Sequence, residues 1–96
     1  MKIRILTTAL NDLEKAHSFY ERQEAGLGGY FLDSLFSDID SLALHASVHL
    51  KVHGYHRQLS KRFPYGIYYG VRDEMVEVWR ILDCRQAPSR LKQLLE

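Results

Sequence analysis

The chain has 96 residues, of which 46% are hydrophobic and 26% charged, and its formal net charge is +1. These values are typical of one globular domain and exclude an intrinsically disordered chain. The single cysteine, Cys84, excludes an intrachain disulfide, and no apolar run is long enough to cross a bilayer. We therefore expect one domain over residues 1–96, located in the cytoplasm and without a membrane partner.

Two patterns near the N-terminus predict a strand followed by a helix. Residues 2–6 alternate basic and apolar side chains, as expected of a strand with one buried face. Leu13, Ala16 and Tyr20 then recur at helical spacing among polar side chains, from about residue 10 to residue 23. Thr7 and Thr8 precede this pattern, and we expect their side-chain oxygens to cap the first free amides of the helix.

A glycine-rich break separates the first helix from a second one. Three glycines within residues 26–29 interrupt the helical pattern. Beyond them, Phe31, Leu35, Ile39 and Leu42 form one apolar face at helical spacing, with acidic and serine side chains opposite. The two helices should therefore form a hairpin that packs on a sheet.

Three later runs are rich in aromatic and β-branched residues, which predicts strands over residues 55–59, 62–71 and 75–82. In the second run, alternation predicts Tyr65, Ile67 and Tyr69 on one face and Tyr68 on the other. The polar connection at residues 72–74 predicts an antiparallel hairpin, and Pro88 opens a short helix over residues 89–95. The expected fold class is α+β with two layers, an N-terminal strand and helical hairpin packed on a mostly antiparallel sheet.

Charge is distributed unevenly between the two halves of the chain. Residues 1–50 carry four basic and seven acidic groups, whereas residues 51–96 carry nine basic and five acidic groups. This predicts a basic face from the C-terminal half, suited to a polyanion or an acidic protein surface. An unevenly charged but purely solvated surface is the alternative.

Four local sequences, taken in this order, resemble the RelE/ParE superfamily of toxins. They are residues 11–16 (NDLEKA), 26–28 (GLG), 62–69 (RFPYGIYY) and 78–82 (VWRIL). The resemblance covers about residues 2–88. It implies the toxin of a type II toxin–antitoxin system of the plasmid-stabilisation type. It leaves two targets open: DNA gyrase, as for ParE, or messenger RNA cut on the ribosome, as for RelE.

The end of the last strand departs from the pattern of the RNA-cutting relatives. Arg85 and Pro88 match, but Asp83 stands where those relatives commonly carry a histidine, and Gln86 and Ala87 also differ. A carboxylate beside a substrate phosphate is electrostatically unfavourable. We therefore favour a ParE-like gyrase inhibitor, with a ribosome-dependent mRNA endoribonuclease as the alternative and an inactive antitoxin-binding module as a third reading.

Each of these functions assigns roles to particular side chains. RNA cleavage needs positive charge around the phosphate and groups that move a proton. The candidates for that chemistry are Arg57, Lys61, Arg62, Arg85 and Tyr68. For a gyrase inhibitor, no residue need be catalytic, and the target-binding candidates are Arg62, Arg85, Arg90 and Lys92. Arg62 and Arg85 could instead serve structural ion pairs, with Asp83 among the possible partners.

The resemblance also implies a protein antitoxin, whose acidic segment should fold onto an apolar strip beside the helical hairpin and form a toxin–antitoxin hetero-oligomer. We expect no metal and no other cofactor. His45, His49 and His53 have helical spacing, but the helix should end near them and no further ligand is well placed. Cys84 has no neighbouring histidine in the sequence and is interpreted as structural or incidental.

Overall fold

The computed structural model describes residues 1–96 as one five-stranded sheet with four helical segments. In chain order the elements are β1 (Lys2–Ile5), α1 (Thr7–Gln23), α2 (Leu27–Asp40), α3 (Leu42–His45), β2 (Lys51–Val52), β3 (Tyr55–Leu59), β4 (Tyr65–Arg72), β5 (Met75–Asp83) and α4 (Pro88–Leu95). The strand order is β1-β5-β4-β3-β2; β1 pairs with β5 in parallel and all other pairs are antiparallel. The predicted α+β class is confirmed, whereas β2 and the division of the second helix at Ser41 were not predicted. None of the helices is both long and apolar enough to span a membrane.

Helix α1 begins three residues earlier than its sequence pattern predicts. Its first residue is Thr7, and the N-cap position is Leu6, which has no capping side chain. The predicted capping role of Thr7 and Thr8 is therefore wrong. Thr8 Oγ1 instead donates a 2.6 Å hydrogen bond to the carbonyl of Trp79 in β5. Thr8 thus ties the start of α1 to the sheet rather than capping its own helix.

Side chains of α1 take the place of a strand along part of the outer edge of β5. β1 pairs with β5 only as far as Val78. Beyond that point, Asp12 accepts hydrogen bonds from the Ile81 amide at 3.0 Å and from the Arg80 guanidinium at 2.8 and 2.9 Å. Arg80 also donates to the carbonyl of Leu94 in α4 at 2.9 Å. One ion pair therefore joins α1, β5 and α4.

The glycine break lets α1 and α2 approach each other closely. Gly26 has a φ of 89°, which glycine adopts without strain. A Cβ atom on Gly28 would lie 2.8 Å from the backbone carbonyl of His17. Glu21 in α1 accepts the amides of both glycines at 2.9 Å, which satisfies two donors at the start of α2 and lowers the pKa of its carboxyl.

The predicted apolar face of the second helix lies at the centre of the core. Its four residues are at most 1% exposed: Phe31, Leu35, Ile39 and Leu42. They belong to the same buried cluster as Tyr65, Ile67 and Tyr69 of β4. Tyr68 lies on the opposite face of the sheet, so the predicted alternation along this strand is confirmed.

Helix α4 covers part of the sheet face that the helical hairpin leaves open. Leu91 and Leu95 pack with Tyr68 and Leu82 in a second, smaller buried cluster. The Tyr68 hydroxyl and the Trp79 indole nitrogen are buried in this region without a hydrogen-bond partner. The sheet and hairpin form the two predicted layers, and α4 adds a partial third.

Candidate target-binding surface

Four basic residues predicted from the sequence lie near one end of the sheet. One is in the middle of β3, two are in the loop that follows β3, and one is in the turn after β5. The loop and the turn are neighbours, because the Cys84 amide donates to the Pro64 carbonyl at 2.8 Å. These residues, called the cationic end from here on, are Arg57, Lys61, Arg62 and Arg85.

The loop that carries two of these cations is held from beneath by a buried carboxylate and an aromatic cluster. Asp38 of α2 is only 4% exposed and accepts hydrogen bonds from Ser60 Oγ at 2.7 Å and from the Lys61 amide at 3.2 Å. Phe63 packs against the ring of Tyr20 with a centroid distance of 5.0 Å. A fixed loop can present its cations to a partner without a large loss of conformational entropy.

Arg85 differs from the other three cations because it is already paired. Its guanidinium donates to both carboxylate oxygens of Asp83, at 3.0 and 2.7 Å, and its amide donates to the same side chain at 2.8 Å. These hydrogen bonds hold the pKa of Asp83 below its usual range. The negative charge that Asp83 brings to this surface is therefore largely neutralised by its neighbour.

The remaining cations of the cationic end have no carboxylate within ion-pair distance. The four ion pairs of the structure join Glu77 to Arg4 and Arg72, Asp12 to Arg80, and Asp83 to Arg85. Arg57, Lys61 and Arg62 take part in none of them. Unpaired cations on a fixed surface attract anionic groups, and this attraction weakens as salt increases.

The groups around the cationic end are poorly suited to moving a proton near neutral pH. Tyr68 is fully buried beneath α4, so it reaches no external ligand while that helix is in place. Burial raises the pKa of the Cys84 thiol, although Arg57 opposes this effect. His56, the histidine nearest to Arg57 in sequence, stacks on Tyr69, which belongs to the core on the opposite face. The arrangement favours binding of an anionic surface over general acid–base chemistry.

The two target-binding candidates beyond the turn lie on α4. Arg90 and Lys92 are exposed and form no ion pair. Because α4 begins three residues after Arg85, these side chains extend the positive surface along the chain from the cationic end. The sequence identified all of these cations, but not which of them has a carboxylate partner.

A shallow apolar groove lies between α1 and α2. Its volume is about 240 Å³, and six residues line it: Leu10, Leu13, Glu14, His17, Leu32 and Phe36. Leu10 is 47% exposed and Phe36 is 37% exposed, so part of the groove is apolar surface in contact with solvent. The sequence predicted an apolar strip beside the hairpin without assigning its residues. The sequence feature that could have located the groove is the presence of two large apolar residues, Leu10 and Phe36, outside the main buried faces of their helices.

The histidines with helical spacing do not share a helix. Helix α3 ends at His45, and Ser47 follows with a φ of 74°. His49 Nδ1 lies 2.6 Å from the hydroxyl of Tyr69, which also accepts the Ser47 amide at 3.0 Å. No group of three or more histidine, cysteine or acidic side chains is placed to hold a metal ion.

Comparisons with known proteins place the chain in a family. A model of the ParE toxin of type II toxin–antitoxin systems, parDE, matches residues 3–88. One similar solved structure is of the chromosomal ParDE TA system from P. aeruginosa; it has a TM-score of 0.70 and 17% identity, with 84% of this chain and 92% of that chain covered. At this identity, the structural match supports the fold alone. No curated protein sequence matches this chain significantly. The family match spans most of the chain, and the chain belongs to the ParE toxin family of type II toxin–antitoxin systems.

Proposed function

We propose that this chain is a cytoplasmic toxin that inhibits DNA gyrase by binding to it, and that a cognate antitoxin neutralises it. The main support is the cationic end, where Arg57, Lys61 and Arg62 have no carboxylate partner. Such a surface can bind an acidic region of a large protein without chemistry of its own. In this proposal Arg62, Arg85, Arg90 and Lys92 contact the target.

The same geometry makes RNA cleavage the weaker candidate. Attack by a ribose 2′-hydroxyl needs a group that accepts its proton and another that protonates the leaving oxygen. Asp83 has a lowered pKa and is engaged by Arg85. Tyr68 is buried, and the pKa of Cys84 is raised by burial. A nuclease would have to work through Arg57, Lys61, Arg62 and Arg85 alone, by stabilising charge on the phosphate.

The groove between α1 and α2 is the proposed landing site for the antitoxin. An amphipathic helix would bury the exposed parts of Leu10 and Phe36, together with the edge of Leu32. Burial of the exposed fractions of these two side chains contributes roughly 1–2.5 kcal/mol before the cost of ordering the helix. Phe36→Ser should therefore weaken antitoxin binding while leaving the core intact.

The central experiment adds the purified chain to two separate reactions. One contains gyrase with relaxed plasmid, and the other contains translating ribosomes with a reporter mRNA. The proposal expects lost supercoiling or trapped cleavage complexes in the first and intact mRNA in the second. Cut mRNA that appears only with ribosomes would overturn it in favour of a nuclease. Activity in neither reaction, together with normal growth on expression, would favour an inactive antitoxin-binding module.

Substitutions in the same gyrase reaction test which residues make the contact. Arg62→Ala should weaken inhibition about tenfold, which corresponds to a loss of about 1.4 kcal/mol of binding free energy. Arg85→Ala should also weaken inhibition, because it removes one contact cation and leaves the Asp83 carboxylate without its partner. Arg22→Ala is the matched control, since Arg22 is an exposed, unpaired cation in the last turn of α1. Equal effects of Arg62→Ala and Arg22→Ala would mean that only net charge matters.

A further inference from the structure

A second surface, separate from the groove, lies where β2 and β3 form a small hairpin, and it shares Arg57 with the cationic end. A shallow depression of about 430 Å³ is found there, and we call it the arm depression after the arm that β2 and β3 form. Its lining residues are His49, Leu50, Lys51, Val52, Arg57 and Leu59. Neither Lys51 nor Arg57 forms an ion pair, and no acidic side chain lines the depression.

The chain around the arm depression is unusual in charge. Residues 41–72 contain no aspartate or glutamate, but five lysines and arginines and four histidines. Elsewhere, all twelve acidic residues are shared among the other two-thirds of the chain. A run of cations without local counter-charges creates a positive potential that is not cancelled at short range. The depression therefore fits an acidic ligand.

The same segment also exposes the most accessible large apolar side chains of the molecule. Leu50 is 86% exposed, Leu44 is 85% exposed and Val48 is 73% exposed. Leu59, on the rim of the depression, is 56% exposed. Single exposed leucines are ordinary, but several in one segment beside unpaired cations are typical of an interaction surface.

Hydrogen bonds hold the backbone of this segment in place. The Tyr69 hydroxyl receives the Ser47 amide at 3.0 Å, and His56 Nδ1 lies 2.7 Å from the carbonyl of His49. The Arg57 amide donates to the carbonyl of Leu50 at 3.0 Å. The segment that presents Leu50 is therefore ordered before any partner binds, which reduces the entropy lost on binding.

We propose that the arm depression is a docking site for an acidic protein segment that carries aliphatic side chains. Carboxylates of that segment would meet Lys51 and Arg57, and its aliphatic side chains would cover Leu50 and Leu59. A single-stranded nucleic acid fits the surface less well, because such sites stack bases on aromatic rings and this lining contains no phenylalanine, tyrosine or tryptophan. The proposal does not depend on the identity of the toxin's target.

The test measures binding of a short fluorescent peptide of alternating glutamate and leucine to the full chain. Leu50→Ser should weaken binding about tenfold, since it removes one buried leucine contact. Lys51→Ala should weaken binding less and make it less sensitive to salt. Phe19→Ser is the matched control and should leave binding unchanged, because Phe19 lies on α1 outside both the groove and the depression and is 45% exposed. Both leucine and phenylalanine sites are partly or largely exposed, so these variants should fold, which circular dichroism checks.

Several outcomes would overturn the proposal. One is equal binding of a peptide in which lysine replaces glutamate, since charge would then be irrelevant. Another is loss of peptide binding in Phe36→Ser but not in Leu50→Ser, because the peptide would then lie in the groove. Displacement of the peptide by a single-stranded oligonucleotide or by anionic vesicles at lower concentration than by unlabelled peptide would assign the surface to those ligands. Self-association of the chain that Leu50→Ser abolishes would make it an interface between copies.

Discussion

Removal of the Asp12 carboxylate should destabilise the fold more than loss of any exposed ion pair. Asp12 receives three hydrogen bonds, two from Arg80 and one from the Ile81 amide. The side chains of Asp12 and Arg80 are 12% and 19% exposed. In Asp12→Ala the guanidinium stays largely buried without its counter-charge, and the Ile81 amide loses its acceptor.

The size of this effect follows from burial. Breaking a buried ion pair from one side costs about 3–5 kcal/mol, and the residual exposure of Arg80 places the expected loss near 3 kcal/mol. A chain of this length has a total stability of roughly 5–14 kcal/mol, so the loss is a large fraction of it. Asp12→Asn should cost less, because an amide oxygen can still accept the Ile81 N–H.

Urea denaturation followed by circular dichroism measures these changes in the free energy of unfolding. Arg4→Ala is the matched control, since its pair with Glu77 spans 3.5 Å and its side chain is 58% exposed; its loss should be below about 1 kcal/mol. In Asp12→Ala combined with Arg80→Met, the stranded charge is removed, and we expect part of the stability to return. A loss below about 1 kcal/mol in Asp12→Ala, or strictly additive effects in the double variant, would refute the reasoning.

Three further predictions concern pH, packing and charge. Burial and two neighbouring histidines lower the pKa of His49, so the folded state prefers the neutral imidazole. The contribution of His49 to the free energy of unfolding is therefore full above a pH of about 6.5 and declines as the pH falls. Thermal unfolding measured across this pH range should show a smaller decline in His49→Gln. Gly28→Ala should cost about 1–3 kcal/mol because its Cβ would contact α1 at 2.8 Å, whereas Gly29→Ala, with open space around it, should be neutral or slightly stabilising; equal melting temperatures would contradict this. Asp83→Asn should strengthen gyrase inhibition by freeing Arg85, and a loss as large as that of Arg85→Ala would show instead that the carboxylate orients the guanidinium.

Periodicity predicted most of the fold because the core depends on side chains that repeat at regular spacing. The face formed by Phe31, Leu35, Ile39 and Leu42 is buried as a unit, and Tyr68 lies opposite its neighbours in β4. These features depend on local backbone geometry, because side chains return to the same face about every 3.6 residues in a helix and every two residues in a strand. Strand β2 has only two residues and no such period to detect.

Polar residues with tertiary partners could not be predicted in the same way. The sequence places Asp12 and Asp38 among the solvated polar side chains of their helices, yet both are largely buried. Their partners lie 68 and 22 residues further along the chain. Only the three-dimensional arrangement of α1, α2 and the sheet brings these groups together. Similarly, threonine is a residue type that often caps helices, but the Thr8 hydroxyl donates its hydrogen bond to the carbonyl of Trp79 instead.

The sequence predicted which cations form the candidate site, but not which of them are paired with a carboxylate. All four cations of the cationic end were named from the sequence, and possible pairing of Arg85 with Asp83 was among the alternatives. The structure separates Arg85, which is paired, from Arg62, which is not. That difference depends on the turn after β5, where the backbone amide of Arg85 also binds Asp83. Turn geometry of this kind has no periodic signal in the sequence.

The position of the groove bears on how an antitoxin could neutralise this toxin. The groove lies between α1 and α2, whereas the unpaired cations Lys61 and Arg62 lie in the loop before β4. An antitoxin helix confined to the groove would leave those cations exposed. Neutralisation would then require either a second antitoxin segment over the cationic end or a steric block from the rest of the antitoxin. Phe36→Ser distinguishes binding from neutralisation, because it should weaken the groove contact without changing the charges that the toxin presents to its target.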